Sequence, residues 1–309
     1  MSQLLIASDG SDLSQTAQVY VARLPFRERP TVRLIAVTQL PAPLSEYYSE
    51  NVLFEQARQV QNNIVAPRLA QEAEALRSKF PSVTTELRIG DPANEVLSAA
   101  REHHVDVIVV GARGLSAVPR FLLGSMSDYV CRHAPQSVLV VRTPPHATDS
   151  ESEGPPRRIL FATDGSDSAN AAINRFASWT WPPNTVARVI TAHQVVRMFG
   201  VEIVHTEEPY RTAQRLEAEA ILQSATMRLE KVFATVESSV CDAAQITHTI
   251  VEEAEKWQAD LLVIGNRGKG FCERMMLGST SLGVLHHAPC SVWMEKLTPQ
   301  APPVHTGVQ

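Results

Sequence analysis

The sequence repeats itself once, about 155 residues further along the chain, and this repeat constrains the fold more than any other feature. Residues 5–12, LIASDGSD, return as residues 160–167, LFATDGSD. Residues 106–114, DVIVVGARG, return as residues 260–268, DLLVIGNRG. The tripeptides LGS and HAP follow in the same order in both halves, at 123–125 and 133–135 and again at 277–279 and 287–289. Ordered matches at a nearly constant distance indicate a tandem duplication.

The two copies are separated by a polar segment at residues 144–156. Pro, Ser and acidic residues dominate it, and it shows no apolar periodicity, so it cannot bury enough surface to offset the entropy of ordering. The length of 309 residues suits two domains of about 100–200 residues each. We therefore predict domains at 1–143 and 157–297, a linker between them, and a flexible tail at 298–309.

Each repeat alternates short apolar segments with longer amphipathic ones. In the first repeat the pattern predicts strands at 4–7, 32–37, 84–89, 107–110 and 138–141, and helices at 14–23, 49–79, 93–103 and 125–133. Strands that are apolar without interruption indicate a parallel sheet covered on both faces. The alternation predicts an α/β fold in which each domain is a doubly wound parallel sheet flanked by helices. Ligands of such sheets bind at the carboxyl ends of strands where the strand order reverses.

The composition argues against several classes of function. The 28 Lys and Arg residues are outnumbered by 33 Asp and Glu residues, whereas a nucleic-acid-binding protein normally has a basic excess. No apolar run approaches the ~18 residues of a membrane-spanning helix, and residues 1–9 lack a signal-peptide pattern. The four cysteines have no CxxC spacing, which favours a reducing compartment and buried structural thiols. We expect a cytoplasmic protein that binds neither nucleic acid nor membrane and has no metal site of its own.

A glycine motif follows the fourth predicted strand of each repeat with identical spacing. The two sets are Gly111, Gly114, Gly124 and Ser125 in the first repeat, and Gly265, Gly268, Gly278 and Ser279 in the second. Glycine permits a positive φ and a close approach of the backbone. The helix that begins after the motif offers free N–H groups and its positive dipole end to an anion. We expect the two serines either to cap these helices or to donate to a phosphate. The spacing is neither that of a Walker A loop nor that of the Rossmann fingerprint.

The G-2x-G-9x-G-S spacing resembles that of the ATP-binding branch of the universal stress protein family, and the resemblance covers residues 1–143 and 157–297. It implies the strand order 3-2-1-4-5 in each domain and an adenine nucleotide, ATP, ADP or AMP, held across strands one and four. Mg²⁺ would arrive with the phosphates. Because the last strand commonly pairs across a dimer interface in this family, the resemblance implies an intramolecular pseudo-dimer of the two domains and leaves a homodimer open.

The resemblance also implies site residues, but no catalytic residue. In each domain these residues lie at the ends of strands one, two and four, in the phosphate loop and at the start of the helix that follows it. They also include an aspartate near the base and ribose. In the first domain they are Ala7, Asp9, Val37, Val110, Gly111, Arg113, Gly114, Gly124, Ser125 and Met126. In the second domain they are Ala162, Asp164, Ala192, Ile264, Gly265, Arg267, Gly268, Gly278, Ser279 and Thr280.

Several of these residues have a second interpretation. Asp9 and Asp164 precede Gly-Ser and suit an Asx-turn or a helix cap as well as a ligand contact. Four arginines are either exposed loop charges or ligand contacts, the last two for the terminal phosphate: Arg113, Arg267, Arg120 and Arg274.

The resemblance predicts a stress-response sensor or switch, and two other functions stay open. One is an ATP-using enzyme of the adenine nucleotide alpha-hydrolase-like group, because residues 8–12 faintly resemble its SGGxDS loop. The other is an interaction scaffold with vestigial pockets.

The second repeat departs from the first at three places. The Gly90-Asp91-Pro92 turn has no counterpart at residues 244–246. The last strand changes from VLVV to VWME, so the two repeats need not form the same interface. Residues 179–183, WTWPP, occur only in the second repeat, and we expect them to pack at the surface.

Overall fold

Strands and helices alternate along the residues that the computed structural model describes, which are 2–39, 50–113, 123–143, 154–194, 204–268 and 277–297. Side chains are described in these ranges except at 50–51 and 204–211. The strands are β1 (Gln3–Ala7), β2 (Thr31–Thr38), β3 (Val83–Ile89), β4 (Val107–Gly111), β5 (Ser137–Val141), β6 (Arg158–Ala162), β7 (Val186–Gln194), β8 (Thr235–Ala243), β9 (Leu261–Gly265) and β10 (Ser291–Glu295). The helices are α1 (Asp12–Arg23), α2 (Glu50–Val60), α3 (Ala66–Arg77), α4 (Pro92–Glu102), α5 (Ser125–His133), α6 (Asp167–Ala177), α7 (Val204–Leu229), α8 (Ile246–Lys256) and α9 (Ser279–His287).

All described strands belong to one sheet, in the order β3-β2-β1-β4-β5-β10-β9-β6-β7-β8. Within each half the strands pair in parallel and follow the order 3-2-1-4-5, which confirms the prediction of two doubly wound domains. The two halves meet where β5 pairs antiparallel with β10. No helix among the described residues is both long enough and apolar enough to cross a membrane.

Helices cover both faces of the sheet, as the uninterrupted apolar strands predict. On one face, Val21 of α1 and Leu69 of α3 pack in the same buried cluster as Leu34. On the other, Leu97 of α4 and Val130 of α5 pack with the opposite side of the strands. Burial on both faces explains why Val107–Gly111 contains no polar residue.

The long helix predicted at 49–79 is interrupted. A π-helical turn, Gln61–Val65, separates α2 from α3 and lies just before Pro67. Proline lacks an N–H, and its ring clashes with the carbonyl four residues earlier, so a wider turn relieves the conflict. Gln61 is buried there and donates from Nε2 to the carbonyl of Arg88, which ties the turn to the end of β3.

The β5–β10 pairing is nearly two-fold symmetric. The hydroxyl of Ser137 accepts from Lys296 N at 3.1 Å, and the hydroxyl of Ser291 accepts from Arg142 N at 3.1 Å. Ser137 and Ser291 are equivalent in the two repeats, as are Arg142 and Lys296. Each hydroxyl is buried, so these bonds satisfy backbone groups that water does not reach.

The two equivalent cations cap helices of the opposite domain. Lys296 donates from Nζ to the carbonyl oxygens of Cys131, at 2.7 Å, and Ala134, at the end of α5. Arg142 donates from Nη2 to the carbonyl of Leu285 in α9. A cation at a helix C-terminus satisfies free carbonyls and complements the dipole. Burial lowers the pKa of Lys296 to about 8.

The two tryptophans of the WTWPP segment are buried, so our expectation of surface packing is wrong for them, whereas Thr180 and Pro183 are exposed. Trp179 and Trp181 are 8% and 6% exposed. They stack on Phe176 of α6, with ring centroids at 4.7 and 5.8 Å. Trp179 also contacts Trp293 of β10 edge-on and Phe26 of the first half. These rings help to cover the boundary between the halves, a role that has no counterpart in the first repeat.

Other predictions fall outside the described residues. These are residues 144–153 of the linker, the tail at 298–309, and the arginines at 120 and 274.

Trp293→Ala tests the aromatic cluster. Trp293 is 1% exposed and its ring is in edge contact with Phe176 and Trp179, so its loss leaves a cavity. We expect the free energy of unfolding, measured by urea denaturation, to fall by about 3–5 kcal/mol. Leu216→Ala is the control, because Leu216 is 61% exposed and its truncation should change stability by no more than about 0.5 kcal/mol. Equal effects of the two substitutions would contradict a structural role for the cluster.

Candidate functional site

Each half has a cleft at the carboxyl ends of its strands, where the strand order reverses. The first cleft lies over the ends of β1, β2 and β4 and has a volume of about 500 Å³. The second lies over the ends of β6, β7 and β9 and has a volume of about 410 Å³. Both are within the range of small-molecule sites, roughly 300–1,000 Å³.

The predicted site residues line these two clefts. In the first cleft these are Ala7, Asp9, Val37, Val110, Gly111, Arg113, Gly124, Ser125 and Met126. In the second cleft these are Ala162, Asp164, Ala192, Ile264, Gly265, Arg267, Gly268, Gly278, Ser279 and Thr280. Gly114 lies outside the described residues. Residues far apart in the sequence are thus brought to one edge of the sheet in each half.

The two aspartates form Asx-turns at the mouths of the clefts. Asp9 accepts at Oδ1 from Ser11 N, at 2.9 Å, and from the Ser11 hydroxyl, at 2.6 Å. Asp164 accepts at Oδ1 from Ser166 N at 3.0 Å. The N-caps of α1 and α6 are therefore Ser11 and Ser166 rather than the aspartates. Both carboxylates are held in fixed orientations while they line the clefts.

The positive φ that glycine permits occurs at the Asp-Gly turns rather than in the glycine motif. Gly10 and Gly165 have φ of +79° and +76°, whereas no motif glycine among the described residues has a positive φ. The motif glycines instead allow the backbone of the loop to lie close to neighbouring residues. A Cβ on Gly265 would clash with Ser168 Oγ and lie 2.7 Å from Ala169 N, and one on Gly268 would lie 2.8 Å from Asp164 Oδ2. Glycine here lets the motif loop lie directly against the start of α6 and against Asp164 in the turn after β6.

The helices after the motif begin without a side-chain cap. The N-caps of α5 and α9 are Gly124 and Gly278, and neither has a side-chain hydrogen bond. The cap that we considered for Ser125 and Ser279 is therefore not formed. The first N–H groups of a helix have no acceptor within the helix, and such groups bind anions well.

A serine that sequence reasoning missed anchors each of these helices. The hydroxyl of Ser127 donates to Gly111 O at 2.7 Å, and that of Ser281 donates to Gly265 O at 2.8 Å. These bonds fix the helix start against the end of the fourth strand. The signal was present in the sequence, because both repeats have serine three residues after the last motif glycine.

The remaining walls of the clefts differ in polarity. In the first, Arg68 of α3 and Ser14 of α1 line the cleft alongside the apolar Ile35, Val37 and Val96. In the second, the additional lining is largely apolar and includes Ala169, Ile246 and Ile250. An apolar slot beside an uncapped helix start suits a ligand with a flat apolar part and an anionic part.

One group of possible metal ligands occurs among the described residues, at the edge strand β3. The ligand atoms of Glu86, Glu102 and His103 lie within 4.8 Å of one another. Arg88 forms ion pairs with both carboxylates, and its hydrogen bond lowers the pKa of Glu102 to about 2. The guanidinium already supplies the positive charge that this group requires, so we assign no metal to it.

Two of the three described cysteines are buried as predicted, whereas Cys241 of β8 is half-buried. Cys131 and Cys290 are completely buried, and burial raises the pKa of each thiol to about 12. A thiol with so high a pKa contributes almost no thiolate near neutral pH and is therefore a poor nucleophile.

Comparison with known proteins gives one consistent result. The model of the universal stress protein family matches residues 1–142 and 156–296. A universal stress protein of Mycobacterium tuberculosis is 29% identical over 238 residues, which cover 76% of this chain and 75% of that protein. One from Thermus aquaticus is 36% identical over 141 residues, 45% of this chain and 97% of its own. A universal stress protein structure from Archaeoglobus fulgidus superposes with a TM-score of 0.59 at 20% identity and covers 95% of this chain and 98% of its own.

Gly265→Ala and Gly278→Ala form a matched test of the close approach in the second cleft. A Cβ on Gly265 meets the start of α6, whereas one on Gly278 meets nothing closer than 3.4 Å. We expect Gly265→Ala to lower the free energy of unfolding by about 1–3 kcal/mol through overpacking, and Gly278→Ala to have little effect. Thermal unfolding of both variants measures the difference. If both are tolerated equally, the tight contact between the loop and α6 is not needed.

Proposed function

Since the chain belongs to the universal stress protein family, we propose that it binds adenine nucleotides in both clefts and acts as a stress-response sensor or switch rather than as a metabolic enzyme. The nucleotide would be ATP, ADP or AMP, and the protein would work in the cytoplasm. The observation that supports this proposal is made in both halves of the chain. In each half, an apolar slot, an oriented aspartate and an uncapped helix start meet in one cleft.

The position of each part suggests how a nucleotide would lie. The base would occupy the apolar slot formed by residues such as Val37 and Val96 in the first cleft. The ribose would lie near the carboxylate of Asp9. The phosphates would accept hydrogen bonds from the first N–H groups of α5, where the helix dipole favours negative charge. Mg²⁺, if present, would bind mainly to phosphate oxygens and water, which requires few protein ligands.

The helices α5 and α9 connect the clefts to the boundary between the halves, which supports a switch. Each begins at a cleft and ends at carbonyls that accept from Lys296 or Arg142 of the other half. His286 of α9 also contacts Asp128 of α5 across this boundary, with Nε2 and Oδ1 2.7 Å apart. A ligand that changes the position or order of α5 would therefore act directly on contacts made by the second half. We propose that the pseudo-dimer formed within one chain is the working unit.

Gly124→Val and Gly278→Val test the two sites separately. Both glycines have φ and ψ that a β-branched residue adopts easily, −64° and 150° for Gly124 and −73° and 149° for Gly278. The added side chain would stand in front of the free N–H groups. We expect isothermal titration of the unaltered protein with ATP to show about two sites per chain, and each variant to retain about one.

Three outcomes would contradict this proposal in different ways. No binding at millimolar ATP would remove the nucleotide and favour a scaffold with vestigial clefts. Unchanged stoichiometry in both variants would place the ligand elsewhere. Product formation from ATP and a co-substrate at an ordinary turnover, about 1–10³ s⁻¹, would favour an enzyme.

A further inference from the structure

A buried polar cluster lies beneath the first cleft. Glu72 of α3 is at its centre, with a side chain only 9% exposed. Its Oε2 accepts from the hydroxyl of Ser8 and from Nε2 of Gln18, both at 2.6 Å. Its Oε1 lies 3.3 Å from Nε of Arg68. The carboxylate is therefore hydrogen-bonded at Oε2 and pairs with the arginine through charge at Oε1, although neither Oε1 nor Nε of Arg68 makes a hydrogen bond with another described residue.

Arg68 is presented to the cleft by this cluster. Its Nη1 donates to Asp9 O at 3.1 Å, and the guanidinium lies against Gly10, where a Cβ would clash with it. The side chain is 32% exposed and lines the cleft beside Asp9. A guanidinium has five N–H donors, so these contacts leave donors for a ligand in the cleft that the side chain lines.

The second repeat builds the same fold without this cluster. The buried positions Leu69, Leu76 and Phe80 match Leu222, Leu229 and Phe233, and this register places Ile221 opposite Arg68 and Ala225 opposite Glu72. On the first helix, the register of Asp9 with Asp164 places Ala169 opposite Ser14 and Ile173 opposite Gln18.

The second half therefore folds without a carboxylate at this position and joins α7 to α6 through Arg228, which donates to Asn170 and Asn174. A buried ion pair is often no more stabilising than apolar residues of similar size, and the second repeat uses such residues. The polar cluster occurs in the first repeat only, and it lies at the cleft. Both observations indicate a role in ligand binding.

Arg68 and the start of α5 face the first cleft from opposite sides of the sheet. Leu69 of α3 packs in the core cluster on one face, and Val130 of α5 packs in the cluster on the other. The cleft therefore has two anion-binding points, one on each side of the strand ends. A mononucleotide with its phosphate chain at α5 would occupy one of these points. Its ribose would then face Asp9 and Arg68, at the other point.

On the basis of the proposed function, we propose that Arg68 makes the first cleft specific for adenine nucleotides that carry a second phosphate on the ribose, and that the second cleft lacks this specificity. Arg68 contacts the second phosphate, for which the planar fork of arginine is well suited. Glu72 is a positioning residue that acts through Arg68.

The test compares two ligands on one cleft. The Gly278→Val variant leaves the first cleft for binding, and it is titrated with AMP and with adenosine 3′,5′-bisphosphate, with the 2′,5′ isomer as a second probe. We expect one of the bisphosphates to bind roughly ten- to hundredfold more tightly than AMP, the effect of a charge-assisted hydrogen bond. The Gly124→Val variant, which leaves the second cleft, should show no preference.

Adding Arg68→Ile together with Glu72→Ala copies the second repeat and avoids a buried unpaired carboxylate. We expect this double substitution to reduce the preference, which is the ratio of the Kd of AMP to that of the bisphosphate, to about one. A general loss of affinity would affect both constants and cancel in the ratio. Arg68→Lys keeps the charge without the fork, so it should retain part of the preference. Thermal unfolding confirms that each variant is folded.

Equal binding of AMP and both bisphosphates to the first cleft, or a preference that survives loss of Arg68, would overturn this inference and leave the proposed function intact. Absence of binding by all three ligands would overturn this inference, and the proposed function would fail with it only if ATP did not bind either. The inference is supported if the preference for a bisphosphate over AMP is present in the Gly278→Val variant and is lost when Arg68 is replaced as well.

Discussion

The parallel pairing of the first and fourth strands in each half is the interaction on which the clefts depend. β1 lies beside β4 through the register Leu4 with Val107 to Ile6 with Val109, and β6 pairs with β9 in the same way. From these neighbouring strands the chain continues to opposite faces of the sheet, to α1 on one side and to α5 on the other. A gap must open where the two paths diverge, and in each half the Asp-Gly turn and the glycine loop line that gap. The position of each cleft is thus a consequence of the order of the strands in the sheet.

Much of this architecture could be predicted from the sequence because it depends on local patterns. The repeat gave the number of domains, the uninterrupted apolar strands indicated two covered faces, and the glycine spacing located the loops. The motif residues needed no knowledge of packing, since they immediately follow strands that any α/β sheet would bring together.

The features that escaped prediction depend on contacts between distant segments. Nothing around Arg68 indicates that it reaches back to the turn at Gly10, because that contact is set by how α3 packs across the sheet. The burial of Trp179 follows from the position of β10 and of Phe26, which belongs to the other half. Because each feature occurs in one repeat only, the other repeat offers no equivalent residue from which its position could be predicted. The π-helical turn is hard to predict for a different reason, because the amphipathic pattern continues without a break through Pro67.

The seam between β5 and β10 has a further consequence, which follows from its two equivalent cations being different residues. In an assembly of two identical chains, every substitution is made twice, so an arginine on one side always faces an arginine on the other. Here Arg142 and Lys296 occupy matching positions yet are encoded separately. Covalent fusion fixes the ratio of the two halves at one to one, and each half can therefore diverge while the other preserves the original arrangement. A single gene can in this way maintain an asymmetric pair that separate subunits would have to achieve by selective pairing.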